Sequence, residues 1–82
     1  MPLNQAIAML QAIAKRNKDE FCYRIELDPN HPLLEYTFIC EEAADGHTFL
    51  SGSGTSLTDA VDDAMTGLKD ACKDWGYKMP KG

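Results

Sequence analysis

The stretch GSGTSLTDAVDDAM, Gly52 to Met65, joins a glycine-rich turn to an acidic helix start. A turn of this kind offers free backbone amides and the positive end of a helix dipole, the chemistry of a phosphate cradle. A phosphate-binding loop also needs the pattern G-x-x-x-x-G-K-[ST], and no lysine follows here. Instead Asp59, Asp62 and Asp63 occupy the first turns, and Asp70 and Asp74 continue the polar face. The Asp59 carboxylate is placed to take the free amides itself, so the turn reads as structural. Asp59 and Asp63 stand one helical turn apart, but calcium draws its many oxygens from a folded loop, which a straight helix does not supply. The acidic run therefore reads as a solvated face or as a docking surface for a basic partner, with no metal site expected.

Other reactive side chains are sparse. Neither G-x-S-x-G nor H-E-x-x-H is present, and His31 and His47 are too far apart in sequence to suggest a dyad. Cys22, Cys40 and Cys72 are odd in number and widely spaced, which fits reduced, mostly buried thiols rather than a disulfide framework or a zinc site. Glu41 and Glu42 adjoin at a strand end, where a solvated turn explains them. The reading is a non-enzyme, with no catalytic residue and no cofactor.

The chain has 82 residues, enough for one core, with 44% hydrophobic and 26% charged residues, a globular balance. Its formal net charge of −5 opposes generic attraction to nucleic acid or anionic membranes, which requires clustered Lys and Arg. No apolar run approaches the roughly 20 residues that span a bilayer. The start, MPLNQAIAML, lacks the features of a secretory signal, so a cytoplasmic location is expected.

These side chains need elements to hold them. Leu3, Ala6, Ile7, Leu10, Ile13 and Ala14 recur at helical spacing, predicting a helix over residues 2–17, with Lys15, Arg16 and Lys18 suited to the negative end of its dipole. FCYRIEL alternates as a half-buried strand, with Phe21, Tyr23, Ile25 and Leu27 on the core side. A loop bounded by Pro29 and Pro32 follows, then a second strand, LLEYTFICE, with Leu34, Tyr36, Phe38 and Cys40 inward. Asp45-Gly46 signals a hairpin into a short third strand, HTFLSG. Ser56 caps a last helix whose apolar stripe runs from Leu57 to Trp75 and stops at Gly76.

The expected fold is α+β, ordered α-β-β-β-α, with a three-stranded antiparallel sheet and both helices on one face. One domain is expected over 1–76, with a flexible tail over 77–82. The opposite, open face should carry Cys22, Arg24, Glu26, Glu35, Thr37 and Ile39. Phe49 joins Ile39 in an apolar patch in one register of the third strand, and the core in the other.

This order resembles the double-stranded RNA-binding domain. That family's signature G-x-G-x-S-K-K-x-A-K-x-x-A-A is echoed by Gly52, Gly54, Ser56, Ala60 and Ala64, with Met65 in place of the last small residue. A proline two residues before a histidine, Pro29 and His31, echoes its first hairpin loop, and Leu3, Leu10 and Gln11 fit its first helix. The resemblance implies the family's fold over residues 2–72. It also implies duplex-RNA contacts through helix one and the histidine loop, at Gln11, Lys15, Arg16, Lys18, Asn30 and His31.

The departures lie in the phosphate-gripping trio. Leu57, Thr58 and Val61 stand where the family has lysines, and three aspartates lie close by. Losing three phosphate contacts lowers affinity by orders of magnitude at physiological salt. The expectation is a small interaction module on this degenerate scaffold, binding a protein partner or its own copy. Its candidate contacts are Asp59, Asp62, Asp63, Asp70, Arg24 and Ile39, through the acidic helix or the open sheet face. Residual RNA binding is the alternative, and no membrane contact is expected.

Overall fold

Pro2 precedes the first helix, α1 (Leu3–Arg16), whose inner face buries Ala6, Leu10, Ile13 and Ala14. The computed structural model describes residues 1–79. Lys15 and Arg16 occupy the last turn, where the dipole favours cations. Asn17 closes the helix and Lys18 takes the left-handed conformation, φ 56°, that glycine usually fills. The Asp19 amide then donates to the Ala14 carbonyl at 2.8 Å and turns the chain towards the sheet.

Three strands follow, β1 (Phe21–Leu27), β2 (Tyr36–Glu42) and β3 (Thr48–Gly54), paired antiparallel in the order β1-β2-β3. The β2–β3 connection is the expected hairpin, with Gly46 at φ +72° and the Glu42 amide donating to His47 at 2.8 Å. A bulge interrupts the β2–β3 ladder: Cys40 faces Leu50, but Glu41 faces Thr48. The extra residue is Phe49, and the bulge turns it inward beside Leu50, so both are buried. Its ring stacks on Phe21 with centroids 4.8 Å apart. The register thus settles Phe49 into the core and leaves Ile39 without it.

Helix α2 (Leu57–Thr66) lies across β3 and β2, with Ala60, Val61 and Ala64 against the strands. Gly52 and Gly54 lie within β3 rather than in the turn. A Cβ on Gly52 would stand 2.1 Å from the Ala64 nitrogen and 2.5 Å from the Ala60 oxygen, and one on Gly54 2.6 Å from the Asp59 Cβ. The glycines are there for clearance: helix and strand backbones nearly touch. Ser56 caps α2 by accepting the Asp59 amide at 3.1 Å.

The expected single helix from Leu57 to Trp75 is broken. Gly67, at φ −91° and ψ 6°, ends α2 and starts α3 (Leu68–Trp75). The apolar stripe crosses the break without losing phase, burying Leu68 and Cys72. Gly76 then stops the chain in the left-handed conformation, φ 71°, as its position predicts. The architecture is therefore α+β, helix, three antiparallel strands and a final helical segment in two pieces, with the helices packed on one sheet face.

Beyond Gly76, where a loose tail was expected, the chain stays docked through Lys78. Tyr77 packs on Phe49, Trp75 and Phe21, and Asn17 both donates to the Lys78 carbonyl at 3.1 Å and accepts its amide at 2.9 Å. The rest of the expected tail, 80–82, lies outside the described residues.

Two substitutions separate the roles of glycine here. Gly52→Ala should lower unfolding free energy by about 3 kcal/mol or more, since backbone must move. Gly46→Ala, which meets nothing within 4 Å, should lose only about 1 kcal/mol through its φ. Urea denaturation of both variants measures the contrast.

Candidate interaction surface

The acidic helix face is largely engaged within the chain. Asp59 accepts the Thr55 hydroxyl at 3.1 Å, rather than taking the free helix amides. Asp63 accepts the Ser53 amide of β3 at 3.0 Å, and Asp62 pairs with the amino group of Met1. Asp70, in the first turn of α3, is exposed. Among the described residues no cluster of three or more His, Cys, Asp or Glu side chains is arranged to hold a metal.

The open sheet face is similarly occupied. Ile39, in the central strand, is only 7% exposed, between its neighbours Arg24 and Ser51. Arg24 bonds Glu41 at 3.1 Å and Glu26 at 3.6 Å, holding its chain across that face. Ile39 is thus a filled position, not an accessible patch.

The candidate RNA contacts divide between the two ends of β1. Gln11, Lys15 and Lys18 line a shallow cleft of about 700 Å³ with Asp19, Glu20 and Phe21. Two acidic side chains share that cleft with the two lysines, and Arg16 is exposed outside it. His31 and Asn30 sit past the other end of β1, roughly 20 Å of strand away. There the His31 Nδ1 accepts the Leu34 amide at 3.2 Å, and the Asn30 amide donates to Asp28 at 3.1 Å.

Ile25, Leu27 and Leu34, which alternation alone assigns to the core, are exposed instead, as is the adjacent Leu33. Ile25 is 46% exposed, Leu27 58%, Leu33 69% and Leu34 46%. By register Ile25 pairs with Phe38 and Leu27 with Tyr36, so they share the helix-bearing face. The reason is coverage: α1 contacts β1 and α2, while α2 serves β2 and β3. Among the described residues, no helix lies over the far half of β1. The two adjacent leucines after Pro32 were the available signal, since only one of two neighbours can follow strand alternation inward.

The two tyrosines on β1 and beyond α3 show how burial treats a phenol with and without a partner. Tyr23 stacks on Phe38, its hydroxyl is buried with no partner among the described residues, and burial followed by the nearby Cys40 and Cys22 pushes its pKa up to about 12. Tyr77 is also raised, first by burial and then by donating to Asp19. Its hydroxyl lies 3.3 Å from Glu42 as well. That bond holds the Asp19 carboxyl below its ordinary value, whereas Glu42, facing Asp19 and Asp45, is raised. Burial likewise pushes the Cys40 thiol up to about 12 and raises Cys72, so neither is a nucleophile at neutral pH.

Compared with known protein families, curated proteins and solved structures, the chain matches none. Among the described residues no helix is long and apolar enough to cross a membrane.

Tyr23→Phe removes an unsatisfied hydroxyl and should hold or raise stability by up to about 1 kcal/mol. Tyr77→Phe removes a bond to a carboxylate and should lower it by about 1–2 kcal/mol. Both phenols ionise at higher pH when folded than unfolded, so stability is intact below pH 10 and falls above it. For Tyr23 the fall spans pH 10 to about 12, and Tyr23→Phe should flatten it in denaturant titrations across that range.

Proposed function

We infer that the chain is a small, non-enzymatic protein-interaction module acting in the cytoplasm, on a scaffold that resembles the RNA-binding domain without its phosphate grip. The observation that carries this reading is the exposure of four large apolar side chains, Ile25 and Leu27 at the end of β1 and Leu33 and Leu34 in the loop that follows. Several large apolar side chains left open at one end of a small domain mark a contact site. The contact is made there rather than at Ile39, Asp59, Asp62 or Asp63, because those groups already have intramolecular neighbours. The partner is a protein, or a second copy, that covers aliphatic side chains.

Charge and placement argue against duplex RNA. No cation stands at Leu57, Thr58 or Val61, and the carboxylates of Asp59, Asp62 and Asp63 are beside them. Lys15 and Lys18 share their cleft with Asp19 and Glu20. Each missing phosphate contact removes about one unit from the salt slope of binding.

The test is a fluorescence titration with a 20-base-pair RNA duplex at about 20 and 150 mM salt. The expected result is no saturable binding at the higher salt. Tight binding with a steep salt slope would overturn the reading. In parallel, Leu27→Asp and Leu34→Asp should shift Tm by only about 2 °C or less, as surface positions do. A collapse of the fold would place these residues in the core and remove the surface on which the reading rests.

A further inference from the structure

The exposed cluster adjoins a second unfilled feature, the outer edge of β1. Strand order leaves β1 at the margin of the sheet. The Asp28 amide donates to Glu35 at 2.7 Å, and the Glu20 carbonyl accepts from Ala43 at 2.9 Å. Both bonds continue the β1–β2 ladder, so even-numbered residues of β1 direct their backbone groups towards β2. The register between them is unbroken from Phe21 to Leu27. Tyr23, Ile25 and Leu27 therefore direct their amides and carbonyls outward. Among the described residues, no bond from another element reaches those three amides or carbonyls. A row of unpaired backbone groups is a template for another strand.

The strand that fits is β1 itself. Its central residues, Tyr23-Arg24-Ile25-Glu26-Leu27, are self-complementary about Ile25. Laid antiparallel on a copy of itself with Ile25 opposite Ile25, the strand sets Arg24 opposite Glu26 and Glu26 opposite Arg24. Both charges lie on the open face. On the other face Tyr23 stands opposite Leu27, so the exposed Ile25 and Leu27 of both chains form one apolar row. Since the odd-numbered residues point outward, the three facing pairs exchange about six backbone hydrogen bonds. A shift by one residue would place apolar side chains opposite charged ones and put Ile25 off the axis.

We propose that this chain forms a twofold dimer by antiparallel pairing of β1 with β1 of a second copy, centred on Ile25 and continuing the three-stranded sheet across the axis. The inference rests on reading the exposed cluster as a contact surface, and it names the occupant. Such an interface is isologous and closed: each copy offers the same strand, and no open β1 edge remains. Under the twofold axis the exposed half of β1 in each copy lies beside the half of β1 that α1 covers in the other.

Light scattering and sedimentation of the full chain, up to about 1 mM, provide the test. The expected mass is twice 9.1 kDa. Ile25→Pro removes an outward amide that the β1–β2 ladder does not use, and should yield a monomer with unchanged circular dichroism. R24E and E26R should each weaken association about tenfold or more by facing like charges across the axis, and the double reversal should restore it. The double variant restores the Arg24–Glu26 pair within each chain as well as the pairs across the axis, so urea denaturation of each variant's monomer is measured alongside, and recovered association without a matching change in monomer stability reports the intermolecular pairs. Should Ile25→Pro fail to fold, hydrogen exchange of the native chain decides: the amides of Tyr23, Ile25 and Leu27 should slow at least tenfold with concentration.

A monomer throughout the range overturns the dimer, as does a dimer indifferent to both charge reversals or exchange at these amides that does not change with concentration. A monomer that also ignores duplex RNA leaves the interaction-module reading in place for a foreign partner. Tight RNA binding removes that reading whatever the mass.

Discussion

The backbone of α2 rests directly on the backbone of β3, and that contact sets the rest of the arrangement. With no Cβ at Gly52 or Gly54, Ala60 and Ala64 settle at a distance that any larger residue would forbid. The helix is thereby held low over β3 and β2, with Val61 fully buried beneath it. Its start is fixed by the Ser56 cap, and Asp63 is brought within reach of the Ser53 amide. With α2 so placed, α1 fills the remaining space beside it over the start of β1. The exposed end of β1 is what α1, α2 and α3 together leave uncovered among the described residues.

Much of this was legible from spacing. Helix and strand identities follow from the 3.6- and two-residue periods, and the Asp45-Gly46 turn, the Ser56 cap and the Gly76 stop from local chemistry. Gly67 was not legible, because the stripe of Leu57, Val61, Ala64, Leu68 and Cys72 keeps its phase through the break. Phe49 was ambiguous because alternation assumes one residue per rung, and a bulge adds one. Tyr77 lay beyond the last periodic residue, and its anchors, Asp19 and Glu42, come from distant parts of the chain.

The functional surface was harder to read for a related reason. Alternation says which side of a sheet a residue faces, not what stands above it. Tyr23 and Leu27 carry the same pattern, yet the former is partly buried beside Phe38 and the latter is open to solvent. Carboxylates pose the converse difficulty. On a helical projection Asp59, Asp62 and Asp63 look like a free acidic stripe, while in the fold each has a partner from a different segment. Several charges of this acidic chain thus hold parts of it together instead of facing outward uncommitted.

The bond from Asp63 to the Ser53 amide has a consequence for chain growth. A sheet with two receptive margins can recruit copies indefinitely, which is the route to ribbons and fibres. Here one margin carries a carboxylate already seated on a backbone donor, which discourages an incoming strand at that position. The two margins thus differ: the outward groups of β1 meet no bond among the described residues, whereas Ser53 on β3 has already given its amide to a side chain. A strand approaching that margin would have to displace the Asp63 carboxylate from the Ser53 amide before it could pair there.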